Sequence, residues 1–564
     1  YDYVSETCTL TVTGLPVGPG PSDPTCLVED SDTGVSLYSD ELIVGFFDSI
    51  SEERIQEIVA AEGGIIVGTI PTLGVCQISI PGDGTVAGVQ AAIAAFKAYV
   101  EVEYAEANYY VEASAFTPND PSFSSQKNMT VIRADEAWVV AKGSVLIGVV
   151  DTGVDYNHED LSGKVIKGKD FVSGDDDPMD GGSHGTHVAG IAAASSNNGK
   201  GVAGVSWDSK ILAVRGIGGS VTAFVSAIKH AADKGCKIIN VSGGMYTASS
   251  SLDKAVDYVV NKGCLFVAAA GNDGKEKKAY PAYYDKALCV GNTTDNDSRY
   301  SGSNYGVWVD ISAPGVNVIS TIPGNTYGTK TGTSMSAPLV SGAAAVVWSM
   351  HPSWTAAQVR ERLEKTAKAL DSSLKIGVGR IDLFEAVFNG SFEIGDLSEW
   401  SKTGTCSSLN SLGALVPQHR KRMGYASTGP SGDQVAATLE KTFTIQPGVT
   451  SIPIKFEYNF VTEEYPEWVG TIYDDALRIT LTAPDGTETV LATESVNGSS
   501  FTMYTDSPAI DFPGGDNTVG QTGWKPASAT IPVTQGSGTY KIKITDAGDD
   551  IYDSVVLIDN IRLK

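Results

Sequence analysis

The types and spacing of the residues around Ser334 are suited to catalytic chemistry. Ser334 lies within the small-residue segment 332–338 (GTSMSAP), and an apolar run from Leu339 to Trp348 follows it. The run predicts a buried helix, which places Ser334 at the helix N-terminus. Peptide dipoles and unpaired N–H groups stabilise negative charge there, as the oxyanion of an acyl transfer requires. Taken alone, the segment could also be a turn before a core helix.

An aspartate and a histidine stand in comparable positions. Residues 145–150 are fully apolar, which is typical of a parallel strand, and Asp151 follows at the carboxyl end, where open α/β sheets collect catalytic groups. His184 begins a second small-residue helix. The order Asp151, His184, Ser334 is that of a subtilisin-type triad. In such a triad the histidine accepts the serine proton and later gives it to the leaving amine, while the aspartate orients the imidazole.

The motifs around these three residues resemble the signatures of the subtilisin-like serine proteases. Residues from about 116 to 388 are most similar to the thermitase branch, and the similarity includes 117–121 (TPNDP), 280–284 (YPAYY) and 379–382 (GRID). The resemblance implies a secreted serine endopeptidase that hydrolyses protein or peptide substrates. It also implies a parallel sheet with helices on both faces.

The same resemblance assigns further residues to the site. Asn272 aligns with the asparagine whose amide grips the oxyanion. Uncharged walls of the primary pocket align with Ala269 and Gly271, which implies a broad preference for apolar or small residues. The segment that pairs with extended substrate as an added strand aligns with Ser242, Gly243 and Gly244. A catalytically silent binding protein on this fold is disfavoured, because all four catalytic positions are filled.

Calcium is the cofactor that the resemblance implies. One site takes side chains from Asp120, Asp160 and Asn198, with backbone oxygens near Ser195, Lys200 and Val202. Oxygen donors gathered on loops suit a hard cation. A second site takes Asp170 and Asp175, but Ser173 stands where the family often has Asp, although Asp176 and Asp177 could compensate. Solvated acidic loops are the alternative for both sites.

His187 raises the question of a different metal. It follows His184 by one helical turn, so the two rings share a helix face. The adjacent glutamate of a zinc-protease helix is missing, and we therefore interpret His187 as a packed or hydrogen-bonded helix residue.

The composition limits the partners of the chain. Its 564 residues carry 67 acidic against 40 basic side chains, a formal net charge of −27, which argues against nucleic acid or an anionic membrane. No run of eighteen apolar residues exists that could span a membrane. Among the seven cysteines, Cys8 and Cys26 flank a Gly/Pro-rich loop and could pair, whereas the cysteines in apolar contexts should be buried thiols.

Changes in composition and in the hydrophobic pattern along the chain predict four segments. Residues 1–38 read as a loosely structured leader, and 39–115 show a β-α-β-β-α-β order, which is ferredoxin-like and resembles an inhibitory propeptide. Residues 116–388 alternate apolar strands with helical runs, the pattern of an α/β fold. Residues 389–564 are rich in Gly, Ser and Thr with short alternating strands, which predicts an all-β jelly roll or sandwich.

The ends of the last segment resemble carbohydrate-binding jelly rolls. Glu393 and Asp559 are weak candidates there for a structural calcium, and Trp468 or Trp524 for sugar stacking. This suggests an alternative function, a surface- or carbohydrate-binding protein in which the β domain is the main unit and the protease acts in processing. Because the triad precedes Asn389, we expect removal of the β domain to leave hydrolysis intact.

The linker after the propeptide predicts how the enzyme matures. We expect Ser334 of the same molecule to cleave between Ala113 and Phe116, where small uncharged residues would fit the primary pocket. The propeptide would then remain as an intramolecular inhibitor until it is digested.

Overall fold

The computed structural model describes residues 15, 16, 18, 20, 22, 26–30, 35–47, 50–71, 74–109, 117–428, 436–462, 469, 475–503, 519–533, 537–547 and 554–563. The chain divides into two compact units that separate near residue 113.

The first unit is an antiparallel sheet with two helices. Its elements in chain order are β1 (Leu27–Asp30), β2 (Val35–Phe46), α1 (Glu52–Ala61), β3 (Ile65–Ile70), β4 (Val75–Ser79), α2 (Val86–Phe96) and β5 (Val102–Tyr109). The sheet order is β1-β2-β4-β3, and β5 also pairs with β2. Alternate residues of β2, such as Leu42 and Val44, share a core with Val89 and Phe96 of α2. From β2 onwards this is the order predicted from the sequence.

Part of the predicted leader belongs to this sheet. The whole of β1 pairs with β2, Gly18 forms a β-bridge with Thr69, and Ser22 Oγ donates to Glu41 Oε2 over 2.8 Å. Such short pairings depend on backbone hydrogen bonds and leave no hydrophobic period for the sequence to reveal. The leader is therefore structured from at least Gly18 onwards at the described positions.

The catalytic region of the second unit is built on a parallel sheet. Its strands are β6 (Leu146–Asp151), β7 (Val165–Asp170), β8 (Lys210–Arg215), β9 (Ile238–Val241), β10 (Leu265–Ala269), β11 (Leu288–Thr293), β12 (Ile311–Pro314), β13 (Val318–Ile322) and β14 (Thr326–Lys330). Seven of them form one sheet in the order β12-β11-β10-β9-β6-β8-β7, with every pairing parallel. The last two form an antiparallel hairpin.

Helices cover this sheet. They are α3 (Lys127–Val131), α4 (Ala134–Ala137), α5 (His184–Ala193), α6 (Val221–Asp233), α7 (Ser250–Asn261), α8 (Thr333–Met350), α9 (Ala356–Lys365) and α10 (Leu383–Phe388). Because α6 and α7 are amphipathic, they pack one apolar face on the strands, and side-chain caps from Ser220 and Ser249 begin them. By contrast, α8 is buried at every position from Thr333 to Trp348, since its small residues let the neighbouring strands and α5 approach.

The region after α10 is rich in strands. They are β15 (Ser401–Thr403), β16 (Thr405–Leu409), β17 (Met423–Ser427), β18 (Ala436–Ile445), β19 (Ser451–Thr462), β20 (Ala476–Thr482), β21 (Glu488–Ser495), β22 (Thr502–Met503), β23 (Gly520–Gln521), β24 (Lys525–Pro532), β25 (Gly538–Ala547) and β26 (Ser554–Arg562). Two sheets result, ordered β15-β18-β25-β20-β21 and β16-β17-β26-β19-β23-β22, with β24 beside β19. Trp524 packs against the apolar cluster of the second sheet, and Trp468 lies outside the described residues.

Buried ion pairs join the catalytic region to the β domain. Arg420 of the β domain binds Asp382, the N-cap of α10, which Arg133 also contacts over 3.3 Å. A second group joins Arg362 of α9 to Glu399, and Lys441 to Glu399 over 3.2 Å. We call these six residues the junction cluster. Removing the β domain would leave Asp382 without Arg420 and Arg362 without Glu399. Survival of hydrolysis after truncation stays a prediction.

Candidate active site

Each of the three predicted triad residues lies at the end of a secondary-structure element. Asp151 is the last residue of β6, His184 the first of α5, and Ser334 the second of α8. A close approach positions α5, because a Cβ on Gly185 would lie 2.0 Å from the carbonyl oxygen of Gly153. Glycine is thus required where the histidine helix meets the loop after the aspartate.

Asp151 and His184 form the acid–base pair that the sequence predicts. The Nδ1 atom of His184 lies 2.7 Å from Oδ1 of Asp151, which also accepts the Thr152 N–H over 2.7 Å. Asp151 is fully buried and the His184 side chain is 30% exposed. Burial lowers the pKa of His184, but the charge and hydrogen bond of Asp151 raise it by more, so the net pKa lies above its usual value.

Sequence reasoning missed Asp180, which holds the loop before α5. Its Oδ1 accepts from Thr152 Oγ1 at 2.8 Å and from the N–H of Ser183 at 2.9 Å, and its Oδ2 accepts from Thr186 Oγ1 at 2.5 Å. One carboxylate therefore links the segment after Asp151 to the first turn of α5. An acidic residue shortly before a helix start was the available signal.

Ser334 is connected to the end of β9. Its Oγ donates to the carbonyl oxygen of Ser242 over 2.9 Å, and Ser242 Oγ donates to the carbonyl oxygen of Ser334 over 2.9 Å. A hydroxyl has a single hydrogen, so Ser334 must rotate away from Ser242 before it can give its proton to His184. Catalytic hydrogen bonds often tighten only when substrate is bound.

Asn272 is oriented for an oxyanion by the start of α8. Its Oδ1 accepts the N–H of Thr333 over 2.9 Å and the Thr333 hydroxyl over 3.0 Å. These bonds occupy the amide oxygen and leave the Nδ2 hydrogens for a ligand. The family alignment predicts that these hydrogens and the N–H of Ser334 form a donor pair for an oxyanion. Thr333 is a positioning residue that the sequence did not single out.

The predicted substrate segments lie beside Ser334. Ser242, Gly243 and Gly244 follow Val241, the last residue of β9. A Cβ on Gly244 would lie 2.0 Å from the Tyr280 carbonyl oxygen, which explains the glycine. On the neighbouring strand, Ala269 ends β10 and is followed by Gly271, whose φ of 99° favours glycine. These segments present backbone and small side chains near the nucleophile.

The residues predicted for the first calcium site converge. Asn198 donates its N–H to Asp120 Oδ1 over 3.2 Å and its Nδ2 to Asp160 Oδ1 over 2.8 Å. The N–H of Val202 donates to Asp160 Oδ2, the N–H of Ser195 to the carbonyl of Asp160, and the N–H of Lys200 to Asn198 Oδ1. Burial raises the pKa of both aspartates, which are 4% and 0% exposed.

The residues predicted for the second site are arranged differently. Asp170 Oδ1 accepts the N–H groups of Val172 and Ser173, and its Oδ2 pairs with Arg215 over 2.8 Å. Asp175 is exposed and meets Asp170 through a backbone bridge. Since a guanidinium already neutralises Asp170, this donor set does not fit a divalent cation. In the described residues no three His, Cys, Asp or Glu side chains converge as a metal site, so the first site depends also on amide and carbonyl oxygens.

His187 is a hydrogen-bonded helix residue, as expected. Its Nε2 lies 3.0 Å from the Val318 carbonyl and 2.9 Å from the Gly328 carbonyl, so it connects α5 to both strands of the β13–β14 hairpin. Burial lowers its pKa to about 4, which keeps the ring neutral.

The geometry defines a serine hydrolase of the Asp-His-Ser type on an open parallel sheet. Comparison with known proteins supplies the family. The Subtilase family matches residues 142–382, and the Fervidolysin N-terminal prodomain matches residues 26–108. Thermitase of Thermoactinomyces vulgaris is 46% identical over 279 residues, which cover 48% of this chain and 99% of thermitase.

Two further relatives extend the match. A Thermophilic serine proteinase of a Bacillus species is 45% identical over 310 residues, 54% of this chain and 77% of that protein. Halolysin of Haloferax mediterranei is 38% identical over 363 residues, 62% of this chain and 69% of halolysin. The chain therefore belongs to the subtilase family. It is a subtilisin-like serine endopeptidase with an N-terminal prodomain.

None of the helices in the described part of the chain is both long and apolar enough to cross a membrane.

Proposed function

We propose that this protein is a secreted, calcium-stabilised endopeptidase of broad specificity that is made as a self-processing zymogen. The observation that carries the proposal is the 2.7 Å contact between His184 and Asp151, with Ser334 in the first turn of α8. After rotation, Ser334 gives its proton to His184 and attacks the scissile carbonyl. Asn272 Nδ2 and the N–H of Ser334 bind the oxyanion, and His184 then protonates the leaving amine.

The main test is hydrolysis of an unstructured protein such as casein. We expect turnover by the matured enzyme and its loss after treatment with a serine-directed reagent. The Ser334→Ala variant is the control for any contaminating protease. Full hydrolysis by that variant would contradict the mechanism.

Broad specificity is supported by the residues around the primary pocket. Ala269 and Gly271 carry no charge and little bulk, and Gly243 and Gly244 lie where a substrate strand can pair through its backbone. Main-chain pairing is tolerant of side chains, so sequence preference is set mainly by the pocket. Mapping of cleavage sites in a mixture of denatured proteins should show small or apolar residues before the scissile bond and no dominant charged residue.

Calcium fits the first predicted site. Asp120 and Asp160 are buried carboxylates whose described hydrogen-bond donors are neutral N–H groups, which leaves their charge for a cation. Calcium bound there would hold the segment before α3 to the loop after α5. The second predicted site is not proposed, because Arg215 binds Asp170.

The calcium proposal predicts a stability effect. A ligand that binds only the folded state at a hundredfold excess over Kd adds about 2.7 kcal/mol. We expect a strong chelator to lower the Tm of Ser334→Ala protein, which cannot digest itself, and Asp120→Asn to reduce that response. Asp175→Asn is the matched control, since its carboxylate is exposed. An unchanged Tm in chelator would refute the proposal.

Self-processing is supported by the prodomain match and by the order of the domains. The proposed boundaries at residues 38, 115 and 388 stay a proposal, and the cleavage site between Ala113 and Phe116 lies outside the described residues. Intact mass and N-terminal sequencing of wild type beside Ser334→Ala test it. Normal maturation of the variant without added protease would contradict self-cleavage.

The β domain is proposed to be a jelly roll or sandwich that supports the catalytic region. Carbohydrate binding is the weaker alternative, because Trp524 packs against an apolar cluster. The candidate calcium ligands Glu393 and Asp559 accept neutral backbone N–H groups, as Asp120 and Asp160 do: Glu393 from Lys421 and Arg422, and Asp559 from His419 and Asn560.

A further inference from the structure

Lys330 places a positive charge at the rim of the triad. It is the last residue of β14, four residues before Ser334, and its side chain is half-buried. Its Nζ lies 3.2 Å from the hydroxyl of Ser183, the residue directly before His184. The ammonium is thus fixed beside the histidine helix.

The Lys330 ammonium has N–H donors and a positive charge that can still bind a ligand. A lysine carries three N–H donors, and in the described part of the chain Lys330 donates to Ser183 alone and forms no ion pair. A half-buried cation without a carboxylate partner is a site to which a substrate carboxylate can contribute the missing charge. Because solvent reaches it only partly, such a pair is screened less than one on the open surface.

The roles of the triad residues indicate which part of a bound substrate lies near Lys330. Asn272 and Gly271 contact Thr333, and Ser242, which precedes Gly243, contacts Ser334. By the family resemblance these segments belong to the acyl side, where the primary pocket is. The leaving amine must lie against His184, because that ring gives it a proton. Lys330 is hydrogen-bonded to Ser183, the residue before His184, and we therefore place its ammonium beside the first residues after the scissile bond.

We propose that Lys330 is a specificity-determining residue that favours substrates with Asp or Glu in the first two positions after the scissile bond. The proposal rests on the endopeptidase activity and refines its specificity on the leaving-group side. It predicts selection by charge there, while the acyl side selects small or apolar residues.

The experiment uses internally quenched peptides that share one acyl-side sequence and differ only by Glu or Gln at each of the two positions. For matured wild type we expect kcat/KM to be roughly fivefold higher for the better Glu peptide than for its Gln counterpart, the range of a partly exposed ion pair. In Lys330→Met the ratio should fall to about one, and in Lys330→Arg it should be retained. High salt should lower the wild-type ratio.

Two controls separate this role from a structural one. Lys210 lies at the amino end of β8, on the opposite edge of the sheet, so Lys210→Met should leave the ratio unchanged. If Lys330 only fastened Ser183, Lys330→Met would lower kcat/KM equally for Glu and Gln peptides, and that result would overturn the proposal. Failure of wild type to cleave the Gln peptides would instead contradict the proposed activity itself.

The pH profile supplies an independent readout. His184 is faced by Asp151 and Asp180, which raise its pKa, and by Lys330, which lowers it, with neutral His187 one turn away. Loss of the Lys330 charge should therefore move the acid limb of kcat/KM for the Gln peptides to higher pH, and Lys330→Arg should restore it. An acid limb that does not move in Lys330→Met would contradict the placement of the charge beside His184.

Discussion

The active site and the junction cluster both contain buried charged side chains, but their charges are balanced in different ways. At the active site, Asp151 accepts from a backbone N–H and from His184, whose own charge depends on pH. In the junction cluster, permanently charged guanidinium groups bind Asp382 and Glu399. The pKa of Asp382 illustrates this, because burial raises it but Arg133, Arg420 and Arg380 lower it by more, to well below its usual range.

This difference implies that the active site serves catalysis and that the junction cluster serves stability. A carboxylate paired with a titrating imidazole can stabilise the imidazolium that forms when the ring accepts a proton. A carboxylate held by arginine cannot, but each of its partners becomes costly to remove. Substitutions in the active site should thus change rate without changing stability, and substitutions in the junction cluster should do the reverse.

The largest expected effect is that of Ser334→Ala on rate. Loss of the nucleophile should lower kcat by roughly a millionfold, since the triad acts as a unit. Once added protease has removed its propeptide, the variant should have a Tm within the error of an active-site-inhibited wild type, because Ser334 Oγ makes one neutral hydrogen bond. Peptide hydrolysis and calorimetry on the same preparations check both. A large fall in Tm would break the separation between the two regions.

The next effect is that of Arg420→Met on stability. Removing one partner of a buried ion pair costs roughly 3–5 kcal/mol, because Asp382 would lose one of its arginine partners. The measurement is denaturant unfolding in a Ser334→Ala background, which prevents self-digestion. Lys402→Met, at an exposed position of β15, is the control and should change stability by less than about 0.5 kcal/mol. Equal effects of the two substitutions would show that the junction cluster contributes no stability.

These two experiments also mark what the sequence could predict. The triad was predictable because each member stands in a local motif, at the end of an apolar strand or the start of a small-residue helix. The junction cluster was not predictable, because Arg133 and Asp382 lie 249 residues apart. The sequence around each of these residues contains no motif that indicates its partner. Asp170 shows the same limit, because the resemblance suggested a metal ligand and could not reveal Arg215 beside it. The fold order, which depends on periodicity, was predicted better than these contacts.

A smaller effect on rate should follow from changes at the oxyanion site. Asn272→Ala removes a side-chain donor and should lower kcat by roughly 10²–10³, with little effect on stability. Thr333→Val keeps the backbone bond to Asn272 but removes two hydroxyl bonds, the one donated to Asn272 and the one accepted from the Gly271 N–H. We expect a loss of roughly threefold to tenfold for each neutral hydrogen bond. Single-turnover kinetics on one peptide distinguish the two variants. Equal losses would mean that Thr333 does more than orient Asn272.

The smallest effect concerns the pH at which the enzyme gains activity. His184 must be neutral to accept the proton of Ser334, so kcat/KM should rise with pH through the pKa of His184, which Asp151 holds above its usual value. Asp180 contributes to the same shift, and Asp180→Asn should move the acid limb to lower pH while the amide oxygen still accepts from the loop before α5. The pH dependence of kcat/KM, recorded beside Asp175→Asn as a control, measures this. A limb that moves to higher pH in Asp180→Asn would show that Asp180 acts through loop geometry and not through its charge.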